Sequence, residues 1–218
     1  KKLADHSISA RIIVISKNGN NVPTSEYRQN RNYNVIATFD VPTKNENVSA
    51  LDEQLKKLES EYAYYLSDLS KQLRDTIIST GKVELRDMRS IYSENDLFIE
   101  IVNEAFENTQ KEVDTEQSKL RFKLHGEVLE NNKKLSSGEK QFLIVMLTVL
   151  LQRKRESILI MDEPEISMHI DWQRKLLQSL NRLNPNCQLI LATHSPGVII
   201  DGWEQLVTNI STLMTNVD

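Results

Sequence analysis

The chain has 218 residues and a net charge of −4, and 39% of its residues are hydrophobic. This length fits one large domain or two small ones, and the weak negative charge excludes a general electrostatic attraction to nucleic acid. The single cysteine, Cys187, excludes a disulfide framework and a multi-cysteine metal site, so we expect a reducing, cytoplasmic setting. The longest apolar run, 142–151, is too short to span a bilayer. Because the sequence opens on Lys1 rather than methionine, we expect it to be part of a longer chain.

Residues 1–48 carry the signals of a β-rich N-terminal lobe. Segments 10–15 and 33–39 are rich in β-branched and aromatic residues, which favour strands. An Asn-Gly pair at positions 18 and 19 predicts a turn after the first segment. The stretch 41–49, with a proline and several asparagine and threonine residues, is typical of a linker.

Residues 49–118 are predicted to form a helical insertion or arm. Apolar residues recur at steps of three and four from Leu51 to Ile77, which predicts a long amphipathic helix over 50–80. A helix packed on its own domain is favoured over a coiled-coil arm, because a coiled coil needs several clean heptads. A second helix is predicted over 94–110.

Residues 119–218 show an α/β pattern. Alternating apolar residues at 120–124 predict a strand, followed by a helix over 138–154, a buried strand at 158–161, a helix over 172–183 and a buried strand at 189–192. A last strand is predicted at 206–210. Apolar strands that alternate with helices predict an α/β fold, in which a parallel sheet is covered by helices on both faces.

Segment 135–141 reads LSSGEKQ and carries the signature of a helix start. Ser136 and Glu139 match a capping box, and the free N–H groups at such an end attract anions. Gly138 would let a phosphate approach the backbone closely. Taken alone, the pattern is more often an ordinary helix cap than a ligand site.

Two carboxylates follow the apolar strand at 158–161. Asp162 and Glu163 are expected at the carboxyl edge of a parallel sheet, where α/β proteins bind ligands. The carboxylate of Asp162 suits Mg²⁺, and Glu163 could act as a general base on water. The alternative is a strand that merely exits into solvent through acidic residues.

A histidine follows the next predicted strand. His194 comes directly after 189–193, so it is also expected at a strand's carboxyl end, where a neutral imidazole can hydrogen-bond a phosphate oxygen. A lone histidine is usually structural or solvated. Its position, one helix and one strand after Asp162, favours a functional role.

The order of these three motifs resembles the core of ABC-type ATPases. After Glu163 the chain continues Pro-Glu-Ile-Ser-Met-His-Ile-Asp-Trp-Gln, which is similar to the overcoming-lysogenisation-defect (OLD), RecF-like and Septu-type ATPases, including anti-phage and retron-associated members. Met168 and Ile170 replace the leucine and proline of that pattern. The resemblance covers about 120–211. It makes His169 a candidate for a loop that faces a second copy; the alternative is that His169 only marks the start of a helix. Asp171 can cap a helix that opens at Trp172.

The resemblance implies an ATP–Mg²⁺ site shared between two copies of the chain. Asp162 would hold Mg²⁺, while Glu163 and His194 would be catalytic. The residues Ser136, Ser137, Gly138 and Glu139 would bind the nucleotide held by the other copy. No G-x-x-x-x-G-K-[ST] phosphate loop occurs in the 218 residues, so we expect the loop that grips ATP to lie elsewhere.

The resemblance also implies a gated partner. OLD proteins usually carry a nuclease module after the ATPase, whereas Septu-type and retron-associated ATPases work with a separate nuclease subunit, which we expect here together with a homodimer or higher oligomer and no membrane. Two alternatives remain: a DNA-repair or chromosome-maintenance ATPase of RecF or SMC type, and a non-hydrolysing scaffold. Contact with nucleic acid also stays open, since Lys133, Lys134 and Lys140 cluster beside the signature segment.

Overall fold

The computed structural model describes residues 11–15, 32–37, 49–116, 119–199 and 203–209. In chain order the helices and strands are β1 (Arg11–Ile15), β2 (Asn32–Ala37), α1 (Ala50–Thr80), α2 (Leu85–Phe106), β3 (Lys111–Val113), β4 (Phe122–Leu124), β5 (Glu127–Val128), α3 (Ser137–Leu150), β6 (Ser157–Asp162), α4 (Ile170–Leu183), β7 (Cys187–Thr193) and β8 (Val207–Asn209). None of the helices in these ranges is long and apolar enough to cross a membrane.

The central sheet has five strands in the order β2-β6-β7-β1-β8. Strands β6 and β7 run parallel, as predicted. Strand β2, from the predicted β-rich N-terminal lobe, lies parallel to β6, and β1 pairs with β7, so both N-terminal strands belong to this same sheet. Strands β1 and β8 are antiparallel to their neighbours, which the sequence analysis did not anticipate. Apolar runs indicate that a strand is buried, but they do not encode its direction.

The two faces of this sheet differ in burial. Leu159 and Leu191 are fully buried and share one hydrophobic core with α1 to α4. The alternate positions point the other way, and there Val35 is 61% exposed and Ile160 37% exposed. Helices therefore flank the sheet, but the described residues do not supply the predicted cover on its second face.

Helix α1 spans the predicted residues 50–80. The Ser49 side chain caps its start, and Gly81, with φ of 73°, ends it in the left-handed conformation that glycine tolerates best. Its buried residues run from Leu51 to Leu69 and face the same core as α3, which confirms packing on its own domain. Helix α2 begins at Leu85, earlier than predicted, because Glu84 forms a capping box with Asp87.

Helix α3 lies at the centre of the molecule. Its residues from Phe142 onward are nearly all buried, enclosed by α1, α2 and α4. The helix ends at Leu150 rather than 154, since Arg153 and Lys154 have left-handed φ angles of 52° and 53°. The strand predicted at 120–124 exists as β4, but it belongs to a separate antiparallel sheet with β3 and β5, not to the parallel sheet.

Candidate functional site

Strands β6 and β7 end side by side, and this places the predicted acidic and histidine motifs at one edge. Asp162 is the register partner of Ala192. The backbone N–H of Glu163 donates to the Ala192 carbonyl oxygen at 2.7 Å, extending the pairing past the end of β6. His194 follows the last residue of β7. The prediction that both motifs lie at the carboxyl ends of neighbouring parallel strands is therefore confirmed.

The side chains of Glu163 and His194 contact each other directly. Nε2 of His194 lies 2.8 Å from Oε1 of Glu163, and their side chains are 38% and 24% exposed, respectively. Glu163 has a φ of 45°, a left-handed conformation that is uncommon for a residue with a side chain and often marks functional sites. The pair is thus open to solvent, oriented by a close contact and able to pass a proton to or from a bound molecule.

Asp162 lies at the last position of β6 and is exposed. No group of three or more histidine, cysteine or acidic side chains in the described ranges is arranged to hold a metal ion. Magnesium is usually held by one or two carboxylates together with phosphate oxygens and water. The hard carboxylate oxygens of Asp162 are the right donor type for that ion.

The start of α3 carries the predicted capping box. The Ser136 hydroxyl accepts from the Glu139 N–H at 3.2 Å, and the Glu139 carboxylate accepts from the Ser136 N–H at 2.7 Å. Ser136 and Ser137 are both exposed. The helix end predicted to attract anions is therefore built as expected and presents its two serines to solvent.

Gly138 is buried, and the space beside it is already used within the chain. A Cβ atom on Gly138 would lie 2.2 Å from the Ser167 carbonyl oxygen and 3.5 Å from the Met168 Cα atom. The absence of a side chain thus lets the loop after Glu163 pack against the first turn of α3. This close approach is made by protein backbone, and the predicted contact of Gly138 with a phosphate stays a prediction.

Glu139 is fully enclosed, with 0% exposure. Its two carboxylate oxygens accept from Lys111 Nζ at 2.7 and 2.9 Å. Burial acts to raise the pKa of this carboxyl, but the hydrogen bonds from Lys111 and the Ser136 backbone outweigh it, so the pKa lies below its ordinary value. Glu139 orders the helix start from inside, and its direct contact with a nucleotide stays a prediction.

Two neighbouring predictions change in the structure. Helix α4 opens at Ile170 and is capped by His169, whose side chain accepts from the Asp171 N–H, so the expectation that Asp171 caps this helix was wrong. His169 is exposed, and its capping role matches the helix-start alternative. Lys140 is only 12% exposed and pairs with Asp52 at 2.8 Å, so its charge is engaged within the chain.

A buried network behind the histidine was not predicted from the sequence. Glu165, which is 7% exposed, accepts hydrogen bonds from the Thr193 hydroxyl and from the backbone N–H groups of His194 and Ser195. From the sequence, Glu165 contributed only to the resemblance carried by the run Asp-Glu-Pro-Glu, and no role was predicted for its side chain. Its position three residues after the last residue of β6 could have indicated a side chain close to the site.

The chain is similar to a protein family and to a retron-associated protein. Residues 6–201 match the family described as "AAA domain, putative AbiEii toxin, Type IV TA system". A stretch of 76 residues is 36% identical to the "Retron Vc95 probable ATPase" of Vibrio cholerae serotype O1 biovar El Tor. That second match covers 30% of this chain and only 15% of the relative. Since the first match covers most of the chain, the protein belongs to this AAA-domain family and is related to a retron ATPase.

Proposed function

We propose that this chain supplies the metal-holding, water-orienting and phosphate-sensing residues of an ABC-type ATP-hydrolysing site of the OLD, RecF-like and Septu-type group. The observation that carries the proposal is the Glu163–His194 pair, 2.8 Å apart at the carboxyl edge of the parallel sheet and next to Asp162. Membership of an AAA-domain family and relation to a retron ATPase support the same activity.

Each side chain of the pair has a defined task in this proposal. Bound Mg²⁺ would neutralise charge on the ATP phosphates, and Asp162 would hold it through a carboxylate oxygen. Glu163 would accept a hydrogen bond from the attacking water and orient it toward the γ-phosphate. The carboxylate can do this because its other contact, from His194, fixes its direction.

His194 occupies the position of a γ-phosphate sensor. With a hydrogen on Nε2, its imidazole can donate to Glu163 or turn the same hydrogen toward a phosphate oxygen. The 38% exposure of its side chain leaves it accessible to a nucleotide bound at this edge. Exchange between these two acceptors would report whether the γ-phosphate is present.

The exposed start of α3 would complete a site on another copy of the chain. Ser136 and Ser137 face solvent, and the free N–H groups behind them favour a phosphate. No phosphate-loop motif lies in the 218 residues, so another segment must grip the nucleotide. In this proposal two copies enclose two ATP–Mg²⁺ between them and separate after hydrolysis.

Hydrolysis would gate a partner effector, which we propose to be a nuclease subunit in anti-phage defence. Support comes from the name of the retron-associated relative and from the toxin–antitoxin description of the family.

We expect the full-length protein, purified with its effector, to hydrolyse ATP and to cleave nucleic acid at a rate that changes with ATP. His194→Ala should lower ATP turnover by about 10- to 100-fold, because it removes a hydrogen bond to a charged group at the reacting phosphate. Turnover is followed by phosphate release and cleavage by gel electrophoresis, on the same preparation.

The matched control is His125→Ala, which removes an exposed imidazole on the turn between β4 and β5. Its turnover should equal that of the wild type. Wild-type turnover in His194→Ala would contradict the sensing role. ATP hydrolysis without any ATP-dependent cleavage would keep the ATPase and reject the nuclease effector.

A further inference from the structure

One buried carboxylate oxygen ties together the ends of the two central strands. Oε1 of Glu165 accepts from the backbone N–H groups of His194 and Ser195, each at 3.1 Å, and from the hydroxyl of Thr193. All three donors lie where β7 ends. Glu165 itself lies in the turn that follows β6, so a single atom fixes the backbone that carries the His194 imidazole.

A second contact closes the same loop from the side of α4. The Ser195 hydroxyl donates to Gln173 Oε1 at 2.6 Å, and Gln173 Nε2 donates to the Met168 carbonyl oxygen at 3.0 Å. Gln173 therefore joins the loop that follows His194 to the loop that follows Glu163. The two loops are held as one unit by Glu165 and Gln173.

The burial of Glu165 includes a feature that is unfavourable for stability. Its other oxygen, Oε2, is inaccessible and has no hydrogen-bond partner among the residues the structure describes. A buried carboxylate oxygen left in this way is unfavourable, and such features concentrate where a protein gives up stability for function. The three bonds to Oε1 all serve the segment that places His194.

We propose that Glu165 is a positioning residue that holds His194 in reach of Glu163 and of the γ-phosphate. This inference rests on the proposed ATPase function. Three donors converge on one carboxylate oxygen, so the loop keeps one conformation and the imidazole keeps its 2.8 Å contact with Glu163. Small displacements of a catalytic group lower rates strongly, by up to about 100-fold for a shift of 1 Å.

The test is a double-mutant cycle on the full-length protein, with ATP turnover and ATP binding as readouts. Glu165→Ala should lower kcat by about 10-fold and change KM by less than about threefold, because it moves His194 without touching the nucleotide. Glu165→Gln keeps an acceptor oxygen and should recover part of the loss. When His194 is already alanine, Glu165→Ala should lower kcat by less than about a further twofold. The imidazole that Glu165 positions is then absent, so moving the backbone has little left to affect.

A second, milder pair of variants covers the case in which Glu165→Ala fails to fold. Thr193→Val removes the hydroxyl that donates to Glu165 and accepts from the Ser195 N–H at 3.0 Å. Thr148→Val is its matched control, because Thr148 is also buried, in α3, and its hydroxyl donates to the Ile144 carbonyl oxygen of its own helix. Thr193→Val should lower kcat by about three- to tenfold while Thr148→Val leaves it unchanged.

The outcomes separate this inference from the proposed function. Equal losses for Glu165→Ala or Thr193→Val with and without the His194 imidazole would overturn the positioning role and leave the ATPase intact. Wild-type turnover in both variants would do the same. Wild-type turnover in His194→Ala would overturn the sensing role and the positioning role together.

Discussion

Glu163→Gln is expected to reduce ATP turnover by at least about 100-fold while ATP binding changes by less than about threefold. The amide has the size of the carboxylate and can keep a hydrogen bond to His194 Nε2, but it cannot orient water as an anionic acceptor. Turnover is measured by phosphate release and binding by equilibrium titration of ATP with Mg²⁺. The bound, unhydrolysed nucleotide should also hold copies of the protein together, which light scattering detects.

Glu127→Gln is the control for this change. It makes the same chemical replacement at an exposed position on β5, outside the candidate site. If Glu163→Gln and the wild type hydrolyse ATP at the same rate, Glu163 does not orient the water. If neither hydrolyses ATP, the scaffold alternative is correct.

Gly138→Ala is the second change with a large expected effect, and simple helix propensity predicts the opposite sign. Alanine is favoured over glycine in helices by about 1 kcal/mol. Here its Cβ would lie 2.2 Å from the Ser167 carbonyl oxygen, and backbone cannot yield as cheaply as a flexible side chain. We expect a net loss of about 1–3 kcal/mol in the free energy of unfolding, as for other overpacked sites. Chemical denaturation without nucleotide measures it.

Ser137→Ala is the matched control for stability, because it lies in the same first turn but its side chain is exposed. It should change the free energy of unfolding by less than about 0.5 kcal/mol. A Gly138→Ala protein of unchanged stability but lower ATP turnover would mean that the glycine serves a ligand rather than the Ser167 loop. That result would favour the prediction from the sequence that a phosphate approaches the backbone at Gly138.

Local patterns predicted the site's elements well. The S-x-x-E spacing of Ser136 and Glu139 specifies a capping box within one helical turn, and the structure confirms it. Apolar runs that end in polar residues placed Asp162 and His194 at the carboxyl ends of neighbouring strands. Each of these inferences depends on contacts within a few residues or on the general geometry of parallel strands.

Contacts between distant segments could not be read in the same way. The Lys111–Glu139 ion pair joins β3 to the start of α3, and the residues around either partner do not predict this contact. The packing of Gly138 on Ser167 likewise depends on how a helix and a loop meet in three dimensions. The network around Glu165 escaped prediction for this reason, since its donors lie on another strand.

We expect the start of α3 to act on a nucleotide held by another copy of the chain. This can be tested with mixed dimers of full-length protein, isolated through two different affinity tags. One copy carries Ser137→Glu, which suits a helix N-terminus but repels phosphate. The other carries Glu163→Gln.

ATP turnover by these mixed dimers is the decisive measurement. If α3 acts across the interface, one of the two sites in each mixed dimer combines an intact Glu163 with an intact Ser137. Turnover should then return to about half that of the wild type, although dimers of either variant alone are nearly inactive. Mixed dimers that are no more active than the two parent variants would show that Ser137 and Glu163 of one chain act on the same nucleotide. That result would contradict a site shared between two copies.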